Sequence, residues 1–224
     1  MSLFTFLKQW GHPTTIEDAV KNQSVGIDIF CLIHQSKGNL ATFQSSLQPY
    51  RAAKTLHMVF DGRKTTAERR EVLEERRAQR SQVQNSIDQI EEVLPKMEER
   101  DRTILERHLV RLKRQAWKPS RDYIDQIKAL IGGVIHEPDG EADQELIRLE
   151  RAGIIDRIVT NDSDLIKRGA ETVVHDNMIF STSHMRKQMG CTSECWEMFL
   201  QLCQKMEPLV AYSLARVYGV SCSE

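Results

Sequence analysis

Acidic residues recur in this sequence near the ends of short apolar runs, where several carboxylates could share a bound cation. Six of them lie within or after four separate runs: Asp28, Asp61, Glu141, Asp143, Asp162 and Asp164. A single Asp at such a place is usually a turn former or a helix cap. Carboxylates gathered within a few ångströms repel one another, and they cannot all stay ionised unless cations lie among them. Hard oxygen ligands of this kind suit Mg²⁺ or Mn²⁺ rather than zinc.

The runs before these acids have the composition of buried parallel strands. They span 24–33, 56–60, 131–135 and 154–160, and a shorter run spans 171–175. Helix-patterned stretches alternate with them, which predicts an α/β fold with a central, mostly parallel sheet flanked by helices. In an open parallel sheet the ligand site lies beyond the carboxyl ends of the strands. The sequence therefore predicts a single cleft that contains all six acids.

Two divalent ions in such a cleft would suit phosphodiester hydrolysis. Held about 4 Å apart, they can activate a water, bind the scissile phosphate and stabilise the leaving oxygen. The predicted cofactor is accordingly two ions of Mg²⁺ or Mn²⁺. A phosphatase or a metal-dependent phosphotransferase is a competing interpretation, but the sequence contains no GxxxxGK[ST] loop and no Cys or Ser nucleophile motif.

A long polar stretch between the second and third runs is too long for a simple crossover. Proline ends or kinks a helix, so Leu94-Pro95 predicts a break between helices over 67–93 and 97–117. A third helix begins after Ser120, a plausible N-cap. We interpret 64–121 as a charged helical hairpin that projects from the sheet. It is either a solvated hairpin held by i, i+4 ion pairs or a basic surface for a polyanion.

Length and composition bound the remaining possibilities. The 224 residues are 40% hydrophobic and 28% charged, which favours a single folded domain over 1–224 with a helical C-terminal segment over 181–224. The formal net charge of −1 does not by itself predict nucleic-acid binding. The sequence has neither a membrane-spanning apolar run nor the features of a signal peptide, so we expect a soluble, intracellular protein that does not bind membranes.

The five cysteines are expected to be reduced. They form an odd set, and the cluster of Cys191, Cys195 and Cys203 has no paired CxxC and no His at ligand spacing. We interpret these residues as core or surface thiols rather than as zinc ligands.

Four segments resemble the flap-endonuclease superfamily of structure-specific 5′ nucleases, whose fold is PIN-like, and the exonuclease branch looks closest. They are VGIDIFCLIH (25–34), MVFDGR (58–63), EPDGEADQELIRLERAGIIDRIVTNDSDLI (137–166) and the basic helical insertion. The most specific parts are E-A-D and, at the proper distance, T-N-D-S-D. The resemblance covers about residues 1 to 180.

The resemblance implies roles for particular residues. The six acids would be the catalytic, metal-binding carboxylates. His34 matches a position where the family places a Tyr or His that stacks on a substrate base; a core histidine is the alternative. The family's arch carries a Lys and an Arg, seven residues apart, that contact the scissile phosphate. Two pairs of arginines have that spacing equally well, Arg69 with Arg76 and Arg70 with Arg77.

Three departures from the family pattern concern the parts around this site. Ser2 stands in place of the usual Gly, and no G-x-D-Y segment follows Phe199, so the family's seventh carboxylate is absent from its aligned place. Glu207 is a candidate substitute. The glycine-rich helix-two-turn-helix that grips duplex DNA is missing, because Gly219 is the sole glycine in 208–221.

The resulting hypothesis is a metal-dependent 5′ nuclease that acts on branched or 5′-ended nucleic acid, with DNA expected and RNA as an alternative. Such an enzyme would serve DNA repair or replication, in the nucleus or another DNA-containing compartment. Two other hypotheses stay open: a non-catalytic nucleic-acid-binding or scaffold protein on the same fold, and a PIN-type ribonuclease. The sequence predicts no particular protein partner.

Overall fold

A computed structural model describes residues 2–62 and 67–219, except for the side chains of residues 67–69, 72 and 219. Within these ranges a sheet of seven strands runs through the fold in the order β1-β7-β6-β5-β2-β3-β4. The strands are β1 His12–Pro13, β2 Ser24–Asp28, β3 Thr55–Val59, β4 Val134–His136, β5 Arg157–Val159, β6 Thr172–His175 and β7 Met178–Ser181. The strands from β6 to β4 are parallel to their neighbours, whereas β7 pairs antiparallel with β6 and with β1. The predicted mostly parallel α/β sheet is confirmed.

Helices cover both faces of this sheet. They are α1 Leu3–Leu7, α2 Ile16–Val20, α3 Ile29–Ser36, α4 Leu40–Leu47, α5 Ala67–Val93, α6 Glu99–Ala116, α7 Arg121–Leu130, α8 Ala142–Arg151, α9 Asp164–Lys167, α10 Thr182–Gln188, α11 Ser193–Leu202 and α12 Pro208–Gly219. Short 3-10 turns follow α1, α4 and α5. None of the described helices is long and apolar enough to cross a membrane.

The central strand β2 shows how the sheet is buried on both faces. Val25 and Ile27 belong to the core formed with α2, α3, α4 and α7. Gly26 faces the opposite core, where a Cβ would lie 2.5 Å from Ile155 and 2.7 Å from Leu146. Alternate residues of a strand point to opposite faces, so both layers of helices pack on β2. The ends of the strands are therefore the part of the sheet left open for a site.

The first apolar run was predicted as one strand over 24–33, and this boundary was wrong. The strand ends at Asp28, whose side chain accepts a hydrogen bond from Phe30 N at 3.0 Å and caps α3. Ile29 and Ile33 of α3 are fully buried, so the apolar run continues into a buried helix. Periodicity cannot separate a buried strand from a buried helix over so few residues. The two antiparallel strands β1 and β7 were also missed.

The polar stretch after β3 forms the charged, projecting hairpin that was expected. Its helices α5 and α6 meet at a 3-10 turn over Leu94–Lys96, where the proline break was predicted. Ile87 and Leu109 are buried, and Lys113 Nζ lies 2.6 Å from Glu91 Oε1 across the two helices. Ser120 caps α7, as predicted, by accepting a hydrogen bond from Tyr123 N.

The cysteines of the described residues are free thiols. Cys195 and Cys203 are buried in the core, and Cys31 and Cys191 are partly buried. Cys222 lies outside the described residues.

Gly62 holds the end of β3 against the loop that leads to α8. Its N–H donates to Gly140 O at 2.7 Å. A Cβ at this position would overlap the backbone carbonyls of Pro138 and Asp139. Because backbone atoms cannot give way as the end of a flexible side chain can, only glycine permits this approach. The contact fixes the distance between the segments that carry Asp61 and Glu141.

We expect Gly62→Ala to lower the free energy of unfolding by about 1–3 kcal/mol, the usual cost of overpacking. The matched control is Gly132→Ala, because a Cβ on Gly132 meets no atom within 4 Å. Chemical denaturation of both variants measures the difference. Equal unfolding midpoints for the two would show that the loop does not need this close approach.

Candidate active site

The ends of β2, β3 and β5 and the start of α8 open into one cleft with a volume of about 1210 Å³. All of the acids singled out in the sequence line it: Asp28, Asp61, Glu141, Asp143, Asp162 and Asp164. They come from segments far apart in the chain. The parallel sheet thus brings together the set that the sequence pattern proposed.

Hydrogen bonds to helix N-termini hold two of these carboxylates. Asp28 ends β2 and caps α3. Asp61 follows β3, and its Oδ1 accepts a hydrogen bond from Ala142 N at 3.0 Å. Glu141 is the N-cap residue of α8 but makes no side-chain cap of its own, so Asp61 caps this helix from a distant segment. The positive end of each helix lowers the cost of a negative charge there.

The loop after β5 arranges the last two acids by local hydrogen bonds. Asp162 N donates to Thr160 Oγ1 at 3.0 Å, and Asp162 Oδ1 accepts from Asp164 N at 2.9 Å. The second of these bonds is an Asx turn that directs the chain into α9. Asp162 and Asp164 therefore lie side by side at the edge of the sheet.

Burial and mutual repulsion raise the pKa of two acids. Burial raises the pKa of Asp28 to about 6, and the carboxylates of Asp61 and Asp162 add to the shift. Burial raises the pKa of Asp143 to about 7; Arg168 opposes this shift, while Asp162, Asp28 and Asp61 increase it. Four carboxylates thus lie close enough to feel one another's charge, and each favours a nearby cation.

The other two acids are paired with basic residues that the sequence analysis missed. Arg168 Nη1 donates to Glu141 Oε2 at 2.8 Å, and Lys167 Nζ lies 2.7 Å from Asp164 Oδ1. Burial lowers the pKa of Arg168, but its hydrogen bond to Glu141 and the charges of the nearby acids together outweigh this effect, so that the pKa is raised. Lys167 and Arg168 follow Asp164 by three and four residues in the sequence. At these spacings opposite charges lie close together on a helix, so the sequence contained a signal for this pairing.

The donor set fits a hard divalent cation in its chemistry, since carboxylate oxygens are the ligands that Mg²⁺ and Mn²⁺ prefer. Within residues 2–62 and 67–219, no group of three or more His, Cys, Asp or Glu side chains is placed so as to hold a metal ion. The carboxylates that lie in one cleft would therefore have to close in around an ion. Glu141 and Asp164 would also have to leave their basic partners.

The hairpin supplies a basic wall of the same cleft. Arg76 and Arg80, one turn apart on α5, line it together with Gln79. Arg80 was missed in the sequence, although it stands four residues after Arg76 and so shares its helix face. Arg70 and Arg77 are exposed on α5 and do not line the cleft. The side chain of Arg69 lies outside the described residues.

An aromatic group lies beside these arginines. His34 is exposed and lines the cleft, with its ring centroid 6.0 Å from that of Trp117, edge to face, and 6.3 Å from that of Phe30. Lys37 Nζ lies 5.8 Å from the Trp117 ring centroid. Burial, followed by the charges of Lys37, Arg76 and Arg80, lowers the pKa of His34, which favours its neutral form. Rings and cations together suit a nucleic-acid strand, whose bases stack and whose phosphates are negative.

Comparison with known proteins gives likeness in structure but not in sequence. No family model matches the chain, and no curated protein matches its sequence. The catalytic core of Rad2 in complex with DNA substrate is similar with a TM-score of 0.66 and 16% identity over 97% of this chain and 68% of that one. Flap endonuclease-1 from Methanococcus jannaschii gives a TM-score of 0.57 and 13% identity, over 94% and 76% of the two chains.

The Holliday junction-resolving enzyme GEN1, in complex with product DNA, Mg²⁺ and Mn²⁺ ions, is also similar. Its TM-score is 0.53 at 14% identity, over 96% of this chain and 50% of that one. At these identities the likeness establishes a shared fold. The PIN-like fold implied by the sequence resemblance is confirmed, and the chain spans about half to three quarters of the structures that share it.

We expect Asp143→Asn to stabilise the protein in EDTA at pH 8. The folded-state pKa of about 7 lies above the unfolded value of 3.8, so the native state binds the extra proton and stability falls as pH rises between them. One pKa unit corresponds to about 1.4 kcal/mol, so the gain at pH 8 should exceed about 1 kcal/mol and vanish near pH 4.

Denaturation across this pH range measures the gain, with the exposed Asp125→Asn as the control for loss of a charge. If the acids hold a metal ion, millimolar Mn²⁺ should reverse the order, because an ion bound only by the native wild type stabilises it. A pH-independent difference between Asp143→Asn and wild type would remove Asp143 from the acidic cluster.

Proposed function

We propose that this chain is a divalent-metal-dependent nuclease that hydrolyses phosphodiester bonds in branched or 5′-ended DNA. One observation carries the proposal: carboxylates from separate strand ends and arginines from a projecting hairpin line the same cleft. Carboxylates alone repel nucleic acid, and arginines alone bind it without cleaving it. Acids on one side of the cleft can bind cations, and guanidinium groups on the other side can bind phosphate. Together they suit a site that holds and cleaves a phosphodiester.

The structural neighbours support the same proposal. The Rad2 core is described with DNA substrate, and GEN1 with product DNA, Mg²⁺ and Mn²⁺. We extend DNA binding and the use of these ions to the present chain because its six acids lie in one cleft on the fold that it shares with them. We likewise propose a role in DNA repair or replication, in the nucleus or another DNA-containing compartment.

Asp28, Asp61, Asp143 and Asp162 are the residues proposed to hold the metal, with Glu141 and Asp164 completing the set for two ions. Such ions, when bound, supply an activated water and charge for the leaving oxygen. The chain itself positions the carboxylates: β2 and β3 fix two of them, and α8 fixes Asp143 in its first turn, next to its capped end. Partial burial limits the access of bulk water to Asp28, Glu141 and Asp143.

The hairpin is proposed as an arch over the cleft. Arg76 and Arg80 bind phosphates of the strand that passes beneath it, and their fixed charge opposes the negative charge that develops during cleavage. His34 and Trp117 provide faces and edges on which a splayed base packs. On this proposal 64–121 is an insertion in a single nuclease domain over 1–224, and the helices of 181–224 take the place of a helix-two-turn-helix.

A specific observation favours a second candidate, a nucleic-acid-binding protein of this fold that does not cleave. The pairing of Glu141 with Arg168 and of Asp164 with Lys167 neutralises two acids without any metal. A protein that has given up catalysis could keep its cleft in this form. Cleavage assays separate the two candidates, and RNA substrates in the same assays test the ribonuclease hypothesis.

The decisive experiment incubates purified protein with end-labelled 5′-flap, nicked and single-stranded DNA and matched RNA, in Mg²⁺, Mn²⁺ or EDTA. We expect metal-dependent cleavage of the flap or 5′-ended DNA. Asp162→Asn should slow this cleavage at least about 100-fold. Residues that only hydrogen-bond to a metal ligand typically cost about 10- to 100-fold when they are replaced. Binding without cleavage by the wild type in every metal would favour the second candidate.

The arch makes a separate prediction, tested under single-turnover conditions. Replacing Arg76 and Arg80 by Gln should lower the cleavage rate at least about tenfold more than it lowers binding, because these groups act on the reacting phosphate. The matched control is the double replacement of Arg70 and Arg77 by Gln, which removes the same charge from the same helix outside the cleft. Equal losses in the two double variants would show that α5 contributes only its general charge.

A further inference from the structure

Arg168 places a positive charge inside the acidic cleft. Its guanidinium group donates a hydrogen bond to the Glu141 carboxylate. The side chain of Arg168 is 40% exposed, and that of Glu141 is 12% exposed. The charges of Asp143 and Asp164 also act on its guanidinium group. Glu141 thus faces a protein cation in the cleft where the proposed function requires it to face a metal ion.

The backbone that carries Arg168 is fixed by packing, whereas its side chain is 40% exposed. Leu165 and Ile166 of α9 are fully buried, and Arg168 N donates to Asp164 O at 2.9 Å. Gly169 then turns the chain with a φ of +90°. The guanidinium group lies at the end of a long, partly exposed side chain, so it can leave Glu141 without any change in the fold.

Two ligands of the proposed function compete for this ion pair. A phosphate accepts the same planar pair of guanidinium donors that a carboxylate accepts, so an entering nucleic acid competes with Glu141 for Arg168. A divalent ion competes with Arg168 for Glu141, because both are cations. Whichever ligand separates the pair makes the other easier to bind, and this coupling must be reciprocal.

We propose that Arg168 is an exchange cation, which neutralises Glu141 in the free protein and moves to a phosphate when nucleic acid binds, leaving Glu141 to the metal. This inference rests on the proposed function and adds to it a phosphate-binding residue. It also couples the two ligands, because bound nucleic acid strengthens metal binding at Glu141 and a bound metal ion strengthens nucleic-acid binding at Arg168.

Two binding measurements, made without cleavage, test the exchange. The first is the affinity for Mn²⁺ in the absence of nucleic acid, from the paramagnetic resonance of free Mn²⁺. The second is the affinity for a fluorescent 5′-flap DNA in EDTA, from anisotropy across a salt series that begins at low salt. Arg168→Gln should bind Mn²⁺ at least about fivefold more tightly and DNA at least about fivefold more weakly. The slope of the logarithm of DNA affinity against the logarithm of salt concentration should become shallower by about one released counterion.

Arg151→Gln is the matched control for charge. Arg151 lies beside Gly169, where its Nη2 atom is 3.2 Å from the position of a Cβ, but it does not line the cleft. We expect its two affinities to stay within about twofold of wild type, as is usual for an exposed cation outside the contact surface. Arg168→Lys keeps the charge without the planar pair of donors, so its affinity for DNA should fall between those of wild type and Arg168→Gln.

The opposite directions of the two shifts are the mark of exchange, because a merely structural Arg168 would weaken both affinities or neither. If Arg168→Gln matches Arg151→Gln, or changes only one affinity, the exchange is wrong while the proposed nuclease stands. If the wild type and every variant bind neither Mn²⁺ nor DNA, the proposed function fails together with it.

Discussion

Repulsion among carboxylates at the strand ends is the constraint on which the rest of the cleft depends. A parallel sheet delivers these side chains to one edge whether or not their charges are compensated. The fold compensates them in three ways: helix N-termini receive Asp28 and Asp61, basic side chains receive Glu141 and Asp164, and burial keeps Asp143 partly protonated near neutral pH. None of these places a positive charge among all of the carboxylates, which is the physical reason for proposing a divalent cation there.

Asp28, Asp61, Asp162 and Asp164 were predictable from the sequence because they lie at or just after the ends of buried strands, which a parallel sheet brings close together in space. Glu141 and Asp143 instead follow β4, an edge strand whose Val134 and Ile135 are 44% and 36% exposed. The boundaries of the strands were less predictable. The run that begins at Ser24 is uniformly apolar, yet it changes from strand to helix at Asp28. The change depends on a hydrogen bond between a side chain and the backbone two residues later, which leaves no trace in hydrophobic periodicity.

The basic and aromatic side of the cleft was predicted only in part, for a different physical reason. A helix presents several faces, and spacing alone cannot tell which of them turns towards the sheet. The seven-residue spacing singled out Arg77 as readily as Arg76, whereas the packing of α5 turns Arg76 and Arg80 to the cleft. Trp117 follows α6 directly and meets His34 because the two helices of the hairpin return to the sheet beside α3. Only tertiary packing decides such contacts.

A fall in pH should affect both the stability of the sheet edge beside this site and the protonation of the acids within it. The edge strand β4 leads to the loop before Glu141, and His57 Nδ1 and His136 Nε2, 3.0 Å apart, join it to β3. Burial and the neighbouring His136 lower the pKa of His57 below 6.5, so the unfolded state binds protons more readily and this edge loses stability as pH falls through that value. Asp28 and Asp143 take up protons near pH 6 and 7, where protonation stabilises the cluster but would remove ligands from the proposed metal site. Acid therefore stabilises the fold at these two carboxylates and destabilises it at His57. If the chain has the proposed nuclease activity, an acid limit near pH 6 to 7 would reflect protonation of Asp28 and Asp143 rather than unfolding.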